Sequence, residues 1–344
     1  MSGDILIRKI GKAGRITLNR PQALNAVTHD MCGAIEAAID DWATDDGVAL
    51  VIIDAAGDRA FCAGGDIVQM HRTAAAGDFA YGRTYWADEY RMNAKIFNFP
   101  KPYVAFMQGY TMGGGVGISC HGSHRIVCES SQISMPECGI GLVPDVGGSL
   151  LLSRAPGRLG EYLGTTATRM GPGDAIFAEF ADYYIPNDQW PALIAALEET
   201  GDPGAVDDAS RPAPDSPLRE TRALIDAHFG GETMGDILRS MPHAPDDFTK
   251  SALTSLRRHS PLSLACTVEM IHRVRGAQKI ERALEMEYRF TYRAAQHGDF
   301  IEGIRAAIID KDHAPKWRHE RVEDVGAMEV ARMLLPLGDN TLSF

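Results

Sequence analysis

The stretch "PECGIGLVPDVGG" (136–148) sets two acids, Glu137 and Asp145, among glycines, prolines and aliphatics. Two carboxylates brought to one point can divide the work of hydrolysis or hydration, one taking a proton or attacking while the other orients water. The two positions are too far apart to be neighbours on one helical face, and Gly139, Gly141 and Pro144 argue against a continuous helix between them. A folded-back loop is needed to bring both acids together. The competing structural reading makes Asp145 the N-terminal cap of the helix signal in "DVGGSLLLSR" and Glu137 a solvated loop acid.

Two glycine-rich stretches come before these acids. "YTMGGGVGIS" (110–119) follows an apolar strand signal and opens a helix signal. Its glycines allow close backbone approach, and the helix start offers unpaired N–H groups with about half a positive charge. That suits an anion or a developing oxyanion. "RAFCAGGDI" (59–67) repeats the arrangement, with Asp66 as a candidate cap and Ile67 as the first apolar helix position. Alone, each stretch also fits a strand-to-helix turn or tight helix packing. Together, two glycine turns after two strands can aim two amides at one point. A dinucleotide fingerprint fits poorly, because the glycine triplet lies far from a first βαβ unit.

The elements that must hold these residues follow from periodicity. "GRITLNRP" (14–21), "ALVIIDAAG" (49–57), "PYVAFMQG" (102–109) and "HRIVCES" (124–130) are short apolar or β-branched runs bounded by turn formers, which predicts strands. Residues 29–44 place Met31, Ile35, Ala38, Ile39 and Trp42 at helical spacing. The pattern is α/β. After a Pro/Gly/Asp-rich stretch at 201–218, read as an exposed loop, four helical patterns make the last third mainly helical. The expected division is a core over 1–200, that loop, and a helical region over 219–344.

Composition narrows the class. The 344 residues are 45% hydrophobic, enough for a substantial core, and the net charge of −12 argues against a general nucleic-acid surface. No apolar run is long enough to span a membrane, and the start reads as a strand rather than a targeting segment. Six scattered cysteines without an export signal predict reduced thiols and a cytoplasmic location.

"FCAGGDI", "GYTMGGGVGIS" and "PECGIGLVPDVGG", in this order and at these separations, resemble the crotonase (enoyl-CoA hydratase/isomerase) superfamily, and in detail its 3-hydroxyisobutyryl-CoA hydrolase branch. The likeness covers most of the chain. "NRPQALNAV" (19–27) is similar to the family's early acyl-CoA segment, and "DFIEGIRAAIIDKDHAPKW" (299–317) to the branch's C-terminal signature. The resemblance implies an α/β spiral of ββα units followed by a helical C-terminal region. It also implies an oxyanion hole at Gly65 and Gly114, coenzyme A contacts at Leu24, Ala26, Ala63, Gly64, Asp66 and Ile67, and catalytic roles for Glu137 and Asp145. Coenzyme A would be part of the substrate, with no separate cofactor. Relatives often form trimers or pairs of trimers, so a homo-oligomer is left open.

Two departures from the hydratase pattern sharpen this. Hydratases carry a Glu a few residues after the glycine triplet where this chain has Gly117, and usually a Gly where it has Asp145. The hydrolase branch has the Glu137 and Asp145 arrangement, which implies thioester hydrolysis in valine breakdown. An enoyl-CoA hydratase or isomerase, and a non-catalytic acyl-CoA binding module, are the alternatives. Within the helical stretch "YWADEYRMNAKIF" (85–97), Glu89 aligns with an acid of the branch that faces substrate, where it could accept a hydrogen bond from a 3-hydroxyl. The bland reading leaves Asp88 and Glu89 together on a solvated face.

No metal site is expected. Cys120, His121 and His124 lack a second ligand cluster at zinc spacing, and His243 and His259 read as capping or surface residues. Cys62 and Cys138 sit beside the candidate site without the partners of a cysteine nucleophile, although their nearness suggests sensitivity to thiol reagents.

Overall fold

The structure, a computed structural model, describes residues 3–241 and 246–344; His243 lies outside them. The chain forms two compact units that interleave in sequence. The first comprises Met1–Asp66, Asp88–Ser134 and Arg169–Arg219, and the second Ile67–Ala87, Met135–Thr168 and Glu220–Phe344.

The first unit is built on two sheets. Strands β1 (Ile5–Ile10) and β2 (Ala13–Leu18) form an antiparallel hairpin with Ile7 opposite Ile16. Parallel strands β3 (Leu50–Ala55), β5 (Tyr103–Met107), β7 (His124–Val127) and β9 (Tyr183–Tyr184) extend it in the order β1-β2-β3-β5-β7-β9. The interior strands β3 and β5 are continuous apolar runs because both faces are covered. Leu50, Ile52, Val104, Phe106 and Ile126 pack with Trp190 and Leu197 of the helix Trp190–Thr200.

The second sheet is short and wholly parallel: β4 (Ala60–Cys62), β6 (Tyr110–Met112) and β8 (Gln132–Ser134), in that order. Each of its strands follows a strand of the first sheet by a few residues, so the chain repeats a long strand and then a short one. This pairing decides where the glycines go. β4 and β6 run side by side in the same direction, so the segments leaving their C-terminal ends, "AGG" at 63–65 and "GG" at 113–114, are neighbours.

The helix His29–Ala43 buries the five apolar residues predicted from its spacing, with the Thr28 hydroxyl accepting a hydrogen bond from the Met31 amide at 3.2 Å. The segment expected as an exposed loop at 201–218 is corrected in part. Gly204–Ala209 is helical and Val206 is buried in the core beside Trp190. Asp202 accepts a hydrogen bond from the Gly204 amide at 2.9 Å and starts that turn.

The second unit is helical. Its longer helices are Pro217–His228 (starting at the edge of the first unit), Asp247–Leu256, Pro261–Val274 and Ile280–His297, matching the four predicted patterns. Asp246 and Ser260 cap two of them through the amides of Thr249 and Ser263 at 2.8 and 3.2 Å. No described helix is long and apolar enough to cross a membrane.

Candidate active site

In the first unit the segment around residues 24–27 is stitched to the segment around 63–66. The Ala63 amide donates to the Leu24 carbonyl at 3.0 Å, the Val27 amide to the Gly64 carbonyl at 2.9 Å, and the Asp66 amide to the Val27 carbonyl at 2.7 Å. The Gly65 amide takes no part in this stitching. Leu24 and Asn25 are both left-handed, at φ 50° and 56°, a demanding conformation that needs support. Asn25 supplies it: its side-chain oxygen accepts from the Arg20 amide at 2.8 Å, and its Nδ2 donates to the carbonyls of Ala56 and Ala60, each at 2.9 Å. Arg20 also donates to the Ala26 carbonyl at 2.6 Å and pairs with Asp66 at 3.1 Å. Leu24, Ala26, Ala63, Gly64 and Asp66 thus lie on two mutually braced segments. Asp66 is not a helix cap; its carboxylate is taken by Arg20, and the helix Val68–Ala75 begins after Ile67, which belongs to the second unit.

Gly114 opens the short helix Gly114–Ser119, preceded by Gly113 at φ 49°. A Cβ built on Gly114 would stand 3.2 Å from the Gly65 nitrogen and 2.9 Å from Oε1 of Glu89. The structure therefore brings three of the predicted residues, Gly65, Gly114 and Glu89, to one place, and a side chain at 114 would fill the space between them. Glu89 is only 3% exposed, unlike a residue on a solvated face. Its neighbour Asp88 is the outward one, bound to His29 at 2.8 Å and Arg91 at 2.9 Å.

The two loop acids belong to the second unit, and both are buried, each 4% exposed. Glu137 begins a 3-10 turn, Glu137–Ile140, closed by the Leu142 amide donating to the Glu137 carbonyl at 3.0 Å. The turn is held from behind. The Ser260 amide donates to the Cys138 carbonyl at 3.0 Å, and the His259 ring lies 3.5 Å from where a Cβ on Gly139 would be. His259 is therefore partly buried against this turn rather than on the surface, and the expected capping role is borne out at the last turn of the helix Leu159–Thr166. Its Nδ1 lies 2.8 Å from the Thr165 carbonyl, and burial, with Arg258 adding to it, pulls its pKa down. The stretch 299–317 contributes Asp299, which accepts from the Ser260 hydroxyl at 2.6 Å and the Arg318 amide at 2.9 Å.

Asp145 is not the N-cap residue of the helix Gly148–Arg154; that position is Gly147, which has no side chain to close it. That work falls to Glu287 of the helix Ile280–His297, which sequence reasoning missed. Its Oε2 accepts from the Gly147 amide at 2.8 Å, and its Oε1 from the Ser149 amide at 3.0 Å and from the Ser149 hydroxyl. Burial pushes the Glu287 carboxyl up to about 8, with Asp145 adding to the rise against the hydrogen bonds that lower it. The available signal was an acid on the buried stripe formed by Ala283, Leu284, Phe290 and Ala294.

The cysteines are not poised for chemistry. Cys62 and Cys138 are fully buried, and burial pushes each thiol up to about 12. This corrects the expectation of ready thiol sensitivity. Cys120, His121 and His124 face different neighbours: Met107, the ring of Phe97 and the ring of Tyr183. No group of three or more His, Cys, Asp and Glu residues among the described residues is arranged to hold a metal ion.

A sequence profile described as Enoyl-CoA hydratase/isomerase matches residues 13–334, and the chain belongs to this family, the crotonases. Among its relatives, 3-hydroxyisobutyryl-CoA hydrolase, mitochondrial, of Gallus gallus is 35% identical over 99% of this chain and 91% of its own length. The protein of the same name from Homo sapiens is 33% identical over the same shares. A solved structure described as an enoyl-CoA hydratase from Rhodobacter sphaeroides 2.4.1 is 54% identical, with a TM-score of 0.95 over 99% of this chain and 100% of that one. Another, described as a carnitinyl-CoA dehydratase from Mycobacterium thermoresistibile, is 38% identical with a TM-score of 0.95, covering 100% of this chain and 99% of that one.

Proposed function

We propose that the protein hydrolyses a small branched 3-hydroxyacyl-CoA thioester, with 3-hydroxyisobutyryl-CoA as the first candidate and a place in valine breakdown. The observation that carries the reading is the close approach of Gly65 and Gly114, where a single Cβ would crowd the Gly65 amide and the Glu89 carboxyl together. Two amides free to point at a carbonyl oxygen can hold the negative charge that develops as the thioester is attacked, and one such donor is worth roughly 3 to 4 kcal/mol of barrier. Full-length likeness to proteins named as 3-hydroxyisobutyryl-CoA hydrolases supports the choice of reaction.

The chemistry then runs as follows. Glu137 takes a proton from water as the new C–O bond forms, or attacks the carbonyl itself to give an anhydride that water cleaves. The oxyanion rests on the amides of Gly65 and Gly114. Collapse breaks the C–S bond, and the departing thiolate of coenzyme A takes up a proton. Asp145 orients the water or relays that proton. Leu24, Ala26, Ala63, Gly64, Asp66 and Ile67 bind the coenzyme A portion, and Glu89 accepts the substrate's 3-hydroxyl. The assignment of Glu137 and Asp145 to the same thioester rests on the motif order shared with the family.

The solved structures described as a hydratase and a dehydratase supply the competing reaction, addition or removal of water at a double bond. Gly117 weighs against it, since the family's first hydratase acid is missing there. Incubating the purified protein separately with 3-hydroxyisobutyryl-CoA and crotonyl-CoA separates the two. Release of free thiol from the first substrate is expected. Loss of enoyl absorbance from the second without any thiol would instead identify a hydratase.

A further inference from the structure

Along the helix Ile280–His297 the inward positions are mostly apolar: Ile280, Ala283, Leu284, Phe290 and Ala294 are buried, with Thr291 a polar exception. Glu287 lies on the same stripe and is 0% exposed. A carboxyl group buried at a core position costs free energy that a leucine there would not, unless its hydrogen bonds and its task offset the cost. Both of its oxygens are engaged, and every partner lies in one short segment, Gly147 and Ser149.

That segment immediately follows Asp145 and is strained. Val146 has φ 53°, a left-handed conformation that a β-branched residue adopts only when its surroundings impose it, and Gly147 follows at φ 81°. The Asp145 carbonyl closes the turn by accepting from the Gly148 amide at 2.6 Å. Without an outside hold, a left-handed valine would relax toward ordinary backbone angles and rotate the residue before it. Glu287 supplies such a hold through Gly147 and Ser149.

We propose that Glu287 is a positioning residue for the reaction: its carboxyl group clamps the turn at 146–149 and so fixes the direction of Asp145. This rests on the hydrolytic role proposed above for Asp145. The clamp works best as a neutral acid. When the carboxyl is protonated, the Ser149 hydroxyl turns from donor to acceptor of their shared hydrogen bond while the two amides still donate, and no negative charge is added beside Asp145. Asp145 acts on Glu287 through its charge, in the direction that raises the Glu287 pKa. On the other elements packed against this helix, Glu329 pairs with His319, Glu269 with Arg273, His272 with Glu161 and Glu302 with Arg305, Arg154 donates to the Ala277 and Gln278 carbonyls, and Arg332 is the remaining basic group.

Two arms test the proposal on the full-length protein. Glu287→Gln keeps the shape but turns an NH2 group toward at least one of the backbone donors. It should lower kcat for thiol release at least about 30-fold with KM within about 3-fold, and it should lack the alkaline limb near pH 8 expected of the wild type. Wild-type kcat and an unchanged pH profile in this variant would overturn the proposal. The second arm needs no turnover and no folded Glu287 variant. Infrared titration of the protonated carboxyl band should show a buried acid ionising near pH 8, and Asp145→Asn should lower that midpoint; a midpoint indifferent to Asp145→Asn would also overturn it. A wild-type protein that releases no thiol while its carboxyl titration shifts as expected would reject the hydrolase reading and leave the clamp standing.

Discussion

The Oε1 atom of Glu89 lies 2.9 Å from where the β-carbon of an alanine at Gly114 would stand, with the Gly65 nitrogen 3.2 Å from the same point. Three groups of different sequence origin therefore share a gap that only a glycine leaves open. The parallel pairing of β4 with β6 produces it, since it sets the ends of two strands beside each other.

Gly114→Ala should accordingly fold and still bind coenzyme A, yet lose thiol release by on the order of 100-fold or more in kcat, the cost of displacing one oxyanion donor. Stopped-time thiol assays beside calorimetric binding of coenzyme A check this. An alanine variant with wild-type kcat would remove Gly114 from the oxyanion hole.

Glu89 should set acyl selectivity. A buried carboxylate that accepts a hydroxyl leaves an unmet acceptor when the substrate lacks that hydroxyl, so the wild type should prefer 3-hydroxyisobutyryl-CoA over isobutyryl-CoA by about 100-fold or more in kcat/KM. Glu89→Ala should shrink the ratio by at least an order of magnitude. An unchanged ratio would show that the hydroxyl is read elsewhere.

The buried Glu287 gives stability a definite dependence on pH. Its folded value of about 8 lies above the ordinary glutamate value of 4.5, so between these the native state binds the extra proton. Its contribution is fully present below about pH 4.5 and is lost as pH rises through about 8. Glu287→Gln should lack this loss, so its melting temperature should gain on the wild type between pH 5 and 8.5, in melts scanned at about half-unit steps. A difference that stays constant across that range would contradict the raised value.

Cys62 and Cys138 should resist alkylation in the native protein. Their thiols are buried and pushed up to about 12, so almost no thiolate is present at pH 8. Thiol counting should find both unreactive until denaturant is added; rapid loss of Cys62 in the native state would show that this segment opens.

The legibility of these features in the sequence follows from what each signal depends on. Strands β3 and β5 and the helix His29–Ala43 were readable because burial imposes a local period. The glycine turns were readable as backbone features, whereas their mutual approach depends on strand pairing, which no local pattern encodes. Asp88 and Glu89 are adjacent and chemically alike, and only the packing of their helix separates the half-buried acid from the fully buried one. "DVGGSLLLSR" looked like a self-capped helix, but the strained turn at Val146 hands the cap to an acid 140 positions later. Such a partner is invisible until the fold is known.

The proposed hydrolysis of a thioester depends on two acids, Glu137 and Asp145. The most direct measurement is single-turnover thiol release from 3-hydroxyisobutyryl-CoA by Glu137→Gln and Asp145→Asn, with coenzyme A affinity recorded on the same preparations. Release should be slowed by at least about 100-fold in each variant, in line with the loss of an acid–base group, with affinity within a few-fold of wild type. Release at the wild-type rate in either variant would contradict it.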